Sequence, residues 1–245
     1  MMEIKDLSLS VDEQILLFDL SLTIKKGEFW AILGKNGAGK TTLLHTLAGL
    51  HNYSKGSIKI GGFELNSLNF LTRAQQISLL PQIQESSLNC SVQQAVSYGR
   101  YAWHKSDTAN LEIINQAIQE MELSDLTQKS IQALSGGELR KVEIATILAQ
   151  DSAVMLLDEP LNHLDLAFRY KLMQKLKGLS QNKAIIMVTH DIQYVQQYCS
   201  HIIMFCGESR VLTGKINDVL TEKNLTKMLG IELPATLKES LLKNI

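Results

Sequence analysis

The chain has 245 residues, 45% of them apolar, and 24 Lys and Arg against 25 Asp and Glu leave a formal net charge of −1. That length and composition support one large domain, or one domain carrying a subdomain, and exclude bulk charge attraction to nucleic acid or anionic lipid. The apolar runs, such as Ala184–Val188, fall far short of the about 20 residues that span a bilayer, and Met1 to Asp6 contain no apolar signal region.

Residues 1–28 hold short alternating segments and the turn Lys25-Lys26-Gly27-Glu28, and Ser57–Ile60 and Phe63–Leu65 flank Gly61-Gly62. Both regions predict a small antiparallel β layer. Phe29–Leu33, Ile77–Leu80, Val154–Leu157, Ala184–Val188 and Ile202–Phe205 are short apolar runs without alternation, which predicts strands covered on both faces. From about 85 to 150 no clear strand is legible. Val92, Ala95 and Val96 mark one helix there, and Leu111, Ile114, Ala117, Ile118 and Met121 mark another. After Asp165, Leu172, Met173, Leu176 and Leu179 share a helical face, as do Ile192, Val195 and Cys199 after Asp191. Strands alternating with helices predict a mostly parallel α/β sheet with a helical insert. The tail after about residue 215 is short and helix-like. Cys90, Cys199 and Cys206 lack metal-site spacing and read as reduced thiols.

Gly34-Lys35-Asn36-Gly37-Ala38-Gly39-Lys40-Thr41 fits the spacing of a phosphate loop between a strand and a helix. Its glycines permit close backbone approach, its N–H groups form an anion nest, Lys40 supplies a point charge and the Thr41 hydroxyl a ligand for Mg²⁺. Val154–Leu157 runs into Asp158-Glu159 at the carboxyl end of a buried strand, where ligands bind in α/β sheets. There Asp158 is placed to hold Mg²⁺ and Glu159 to orient or deprotonate a water. Taken alone, the pair fits a helix start equally well. Leu134-Ser135-Gly136-Gly137-Glu138 opens an amphipathic helix that includes Leu139, Val142, Ala145 and Leu148, and alone it reads as a simple capped helix.

In order, the chain reads GKNGAGKT, Leu80-Pro81-Gln82, LSGGE, VMLLDEP, Leu164-Asp165 and Val188-Thr189-His190-Asp191. This series closely resembles the nucleotide-binding subunit of ATP-binding cassette (ABC) transporters over nearly the whole chain. The resemblance implies a P-loop NTPase fold: a RecA-like parallel sheet with an antiparallel β subdomain and an inserted α-helical subdomain. Residues 1–84 and 151–245 would form the catalytic core and about 85–150 the insert. It implies ATP hydrolysis with Mg²⁺, nucleotide contacts from Gly34 through Thr41 and Thr42, and metal contacts from Thr41, Gln82 and Asp158. Glu159, His190, Gln82 and Lys40 would be catalytic, with His190 touching the γ-phosphate across a dimer. Ser135, Gly136, Gly137 and Glu138 would meet the nucleotide of a second copy of the chain, and Asp165 would lie at the dimer interface. His163 reads as a loop residue.

Ser91–Tyr101 and Asp158–Leu166 resemble segments of ATPases that import iron–siderophore, haem or cobalamin. That implies an integral membrane permease, indirectly a substrate-binding protein, no nucleic acid, and a place at the cytoplasmic face of the membrane. The insert, with the segment after Gln82, would form the groove for the permease's coupling helix. An exporter or lipid-transport ATPase and a soluble ABC ATPase of translation or repair are the alternatives. Repair members carry long coiled-coil or zinc insertions, and translation members normally carry two cassettes; this chain shows one cassette and neither insertion. The sequence departs from the family at Val11, where an aromatic usually stacks on adenine. Loose base selectivity is expected there, unless a neighbouring ring such as Phe18 substitutes.

Overall fold

The computed structural model describes residues 1–11, 14–82, 89–103, 107–207 and 209–232. The expected groove-forming segment after Gln82 and the end of the tail lie outside the described residues. Strands β1 (Met2–Val11), β2 (Gln14–Ile24), β4 (Lys55–Ile60) and β5 (Phe63–Glu64) form an antiparallel sheet of order β2-β1-β4-β5. Strands β3 (Phe29–Leu33), β6 (Ile77–Leu80), β7 (Val154–Asp158), β8 (Ala184–Val188), β9 (His201–Phe205) and β10 (Val211–Lys215) form the second sheet. Its order is β10-β9-β3-β8-β7-β6, and all its neighbours are parallel except β10 on β9.

The apolar runs do not alternate because each strand of the second sheet faces two cores. Phe29, Ala31, Leu33, Met155, Leu157, Ile185 and Met187 enter the core under the helices, and Trp30, Ile32, Val154, Leu156, Ile186 and Val188 enter the one under the antiparallel layer. Successive strand side chains point to opposite faces, so a run buried on both faces must be apolar throughout.

Helices α1 (Lys40–Leu47) and α2 (Phe70–Gln76) precede β6. Helices α3 (Val92–Ser97), α4 (Asp107–Glu120) and α5 (Gly136–Gln150) lie between β6 and β7. Helices α6 (Leu166–Ser180) and α7 (Ile192–Tyr198) flank β8, and α8 (Ile216–Val219) and α9 (Glu222–Leu229) follow β10. Between β6 and β7 the described residues contain no strand, only an isolated bridge between Ser91 and Ser130. Among the described residues, no helix is long and apolar enough to cross a membrane.

Two helical faces differ from the pattern expected. Leu111 of α4 is 45% exposed, while Ile114, Ala117, Ile118 and Met121 are buried. It lies in the first half of α4, N-terminal to those buried residues. Helix α5 buries Val142 and Ala145 as expected, but also Arg140, Ile144, Ile147 and Ala149, because α3 and α4 cover one flank and strand ends the other. The three cysteines are free and buried, and burial pushes the Cys199 thiol up to about 12.

Candidate functional site

Four neighbouring parallel strands deliver the site. In sheet order β3, β8, β7 and β6 run into Gly34, Thr189, Glu159 and Pro81, and the register pairs Ile32 with Val188, Asp158 with Val188, and Leu80 with Leu157. Their carboxyl ends therefore open side by side. A cleft of about 680 Å³ lies over them, and Lys40, Thr41, Gln82, Glu159 and His190 all reach its wall. These residues are up to 150 positions apart in sequence, and the sheet order alone brings them together.

The glycine-rich loop from Gly34 to Gly39 joins β3 to α1. Gly37 and Gly39 have φ of 76° and 97°, in the left-handed region that a side chain disfavours. At Gly39 a Cβ would also come within 3.1 Å of Leu16, so the loop backbone packs directly on β2. Ala38 N–H donates to the Lys35 carbonyl at 3.2 Å. The Lys40 ammonium curls back over the loop, donating to the Gly34 and Lys35 carbonyls at 3.0 and 2.9 Å. Burial lowers the Lys40 pKa, and the Glu159 and Asp158 carboxylates oppose that shift.

Asp158 is 1% exposed and lies beneath the cleft. Burial pushes its pKa up; the adjacent Thr41 hydroxyl works the other way, Glu159 adds to the rise, and His45 and Lys40 reduce it. Neither Asp158 oxygen makes a hydrogen bond of regular geometry. A buried carboxylate without donors is costly.

Glu159 is held on every side. Its φ is 45°, its N–H donates to the Val188 carbonyl at 3.0 Å, and its carbonyl accepts from Arg140 at 2.9 Å. One side-chain oxygen lies 2.8 Å from His190 Nε2, and the other accepts from Asn162 Nδ2 at 2.6 Å. A carboxylate gripped at both oxygens keeps one rotamer and faces the cleft. The helix start that the carboxylate pair could have been belongs to Asp165 instead, whose side chain caps α6 through Phe168 N–H at 2.9 Å. That bond holds the Asp165 carboxyl below its ordinary range.

The structure does not bring Ser135, Gly136, Gly137 or Glu138 to this cleft. Ser135 and Glu138 form a capping box at the exposed start of α5, with Ser135 N–H and hydroxyl both 2.7 Å from Glu138 Oε2. Gly136 and Gly137 lean on His163, and a Cβ on Gly137 would stand 2.9 Å from the His163 carbonyl oxygen.

At the far end of the cleft stand Val11, Gln14 and Leu16. Val11 is 45% exposed. Phe18 is not among the lining residues; its ring is exposed, with the Lys55 ammonium 5.8 Å above it. No described aromatic side chain lines this end of the cleft.

Sequence reasoning missed three residues around the site. Asn162 binds Glu159, and its signal was only proximity in the loop. Arg140 is buried behind the strand ends; a cation in register with Ile144 and Ile147, with Glu143 one turn on, was the sign. His45 of α1 has a buried, unpartnered Nε2, stacks on His51 at 5.4 Å, and has its pKa lowered first by burial.

Comparison with known proteins gives the family. The family model "ABC transporter" matches residues 17–162. The chain is 31% identical to the petrobactin import ATP-binding protein YclP of Bacillus subtilis (strain 168), over 96% of this chain and 94% of that one. It is 30% identical to the iron(3+)-hydroxamate import ATP-binding protein FhuC of the same organism, over 93% and 87%. Among solved structures, a transporter described as of metal-chelate type, in an inward-facing conformation, superposes with a TM-score of 0.80 at 27% identity, over 94% of this chain and 88% of that one. The dimeric ATP-binding cassette MJ0796 bound to ADP and Pi gives 0.77 at 27% identity, over 88% and 99%.

Proposed function

The chain belongs to the ABC transporter family, and from that premise we propose that it is the ATP-hydrolysing subunit that energises import of a metal chelate through a separate membrane permease. The observation that carries this reading is the convergence of Lys40, Thr41, Gln82, Glu159 and His190 on one cleft at four adjacent strand ends. The cargo class is proposed from relatives named for petrobactin and iron(3+)-hydroxamate import.

In this reading the loop from Gly34 through Thr42 wraps the phosphates, and Lys40 leaves its carbonyl partners for the β- and γ-phosphates. Glu159, held by His190 and Asn162, takes the proton of the attacking water. The residues fit Mg²⁺. Asp158 offers two buried oxygens without regular hydrogen bonds, beside the Thr41 hydroxyl. Among the described residues no group of three His, Cys, Asp or Glu could hold a metal unaided. Bound there, Mg²⁺ would neutralise charge on the phosphate oxygens, with Thr41, Asp158 and Gln82 holding it. Ser135 to Glu138, outside the cleft of their own chain, would close the site of a second copy. The segment from about 85 to 150 would act as a helical subdomain of a single catalytic domain.

Loose base selectivity is one consequence. Val11→Tyr would add a π face, worth about 0.5–1.5 kcal/mol beyond area burial, so ATP is expected to bind about 2- to 12-fold tighter. Titration of both proteins with ATP and GTP checks this, and identical affinities throughout would count against it.

Permease docking has a matching surface. A groove of about 420 Å³ runs between α2 and the end of α3, walled by Leu50, Phe70, Leu71, Tyr98 and Tyr101. Phe70 and Tyr101 are each 81% exposed. Large apolar side chains exposed together mark an interaction site, and a short cytoplasmic helix of the permease would bury them, holding the subunit at the cytoplasmic face. Tyr101→Glu is expected to leave ATP hydrolysis by the isolated chain unchanged and to weaken co-purification with the permease about tenfold or more, because a charge enters an apolar contact. Undiminished co-purification, or none with the wild type, would refute the docking assignment.

A further inference from the structure

Arg140 is 3% exposed and lies in the second turn of α5, the helix that opens at Ser135-Gly136-Gly137. One terminal nitrogen donates to the Pro81 carbonyl and to Glu143, both at 2.8 Å. The other donates to the Asp158 and Glu159 carbonyls at 2.8 and 2.9 Å. One guanidinium therefore joins three things: the start of α5, the residue preceding Gln82, and the backbone of the Asp158–Glu159 pair. The carbonyls it reads belong to residues at the carboxyl ends of β6 and β7.

The placement is specific in two ways. Glu159 sits at φ 45°, and its carbonyl accepts from Arg140 at 2.9 Å and from the Asn162 N–H at 3.3 Å. A residue other than glycine holds such a conformation only when its surroundings enforce it. The second contact is steric: Gly137, in the first turn of the same helix, leans on the His163 carbonyl in the loop that carries Glu159 and Asn162. A buried cation with one carboxylate partner is also a costly way to fill space, since apolar side chains of similar volume often do so as well or better.

We propose that Arg140 is a positioning residue that sets Glu159 and Gln82 according to where the opening turn of α5 lies. This rests on the function proposed above, in which Ser135 to Gly137 meet the nucleotide of a second copy. Contact with that nucleotide fixes the first turn of α5. Arg140 carries this position to Pro81, Asp158 and Glu159, and Gly137 carries it to His163. The base of one site is thereby aligned by the chain's engagement with the other site, and hydrolysis follows dimer closure rather than nucleotide binding alone.

The test compares full-length wild type, Arg140→Lys and the double variant Arg140→Met with Glu143→Leu, which removes both charges together and protects against a fold lost to an unpaired one. Nucleotide affinity, thermal stability, and kcat and KM for ATP hydrolysis are measured on each. Both variants are expected to keep KM for ATP and nucleotide affinity within about twofold while kcat falls at least about tenfold, a difference of 1.4 kcal/mol in transition-state energy. A merely structural role would leave the kcat of folded protein intact, or lower affinity and melting temperature in step with it. Wild-type kcat in the folded double variant would overturn the proposal. So would a loss confined to affinity or stability. Absence of hydrolysis by the wild type is a different result, which would overturn the proposed function and this role with it.

Discussion

Glu159→Gln is expected to lower steady-state ATP hydrolysis by about 10²–10⁴-fold, the usual contribution of a positioned general base, while leaving ATP affinity close to wild type. The glutamine side chain has nearly the same shape and can still meet Asn162 and His190, which lie 2.6 and 2.8 Å from the two Glu159 oxygens. What it lacks is an acceptor that can take a proton from water. The phosphate loop on the other wall of the cleft is untouched, so binding persists. Without turnover, a pair of chains closed over two ATP molecules has no route to reopen through hydrolysis. The variant is therefore expected to accumulate as an ATP-dependent dimer, visible by size-exclusion chromatography with light scattering. Wild-type phosphate release from the glutamine variant would remove Glu159 from the role of base. Retained binding with no dimer would instead remove the second copy from the site.

The fate of particular residues shows what the sequence carried and what it did not. The turn from Gly34 to Thr41 was legible because its glycines and spacing are local, and Gly37 and Gly39 do take left-handed φ values. The parallel sheet was legible because strands flanked by two cores cannot alternate, and Trp30 and Ala31 do enter different cores. The capping box of Ser135 and Glu138 was equally local. Arg140 was not legible, because its three carbonyl partners come from strand ends up to 59 residues away and no periodicity encodes them. Leu111 was misplaced for the opposite reason. Spacing identified the correct helix but not where along it burial begins, and Leu111 stays 45% exposed. Val11 was assigned to the adenine by resemblance, and in the structure it lines the cleft together with Gln14 and Leu16. Phe18, the neighbouring ring considered in its place, is not among the residues lining the cleft and lies beside Lys55.

Lys40→Ala is expected to abolish measurable turnover, a loss of at least about 10²-fold, comparable to deletion of a donor aimed at developing transition-state charge. Lys40 is 7% exposed, and its ammonium already sits inside the loop, bonded to the Gly34 and Lys35 carbonyls at 3.0 and 2.9 Å. It need only swing from those carbonyls to a phosphate. Burial disfavours its charge, while Glu159 and Asp158 support it. An incoming phosphate would supply the further negative charge that such a desolvated cation lacks. Lys40→Arg is expected to fail as well, since a planar guanidinium does not fit where a compact point charge is wrapped by backbone. The experiment can separate this loss from unfolding. Alanine removes a desolvated cation together with two hydrogen bonds, so thermal stability without nucleotide is expected to change little. Saturating ATP at about 100 times Kd stabilises a binding protein by about 2.7 kcal/mol, and that increment should be present in wild type and in Glu159→Gln but absent in Lys40→Ala. A Lys40→Ala protein that still gains thermal stability from ATP, or hydrolyses it at the wild-type rate, would show that the phosphates are held by something other than the loop from Gly34 to Thr41.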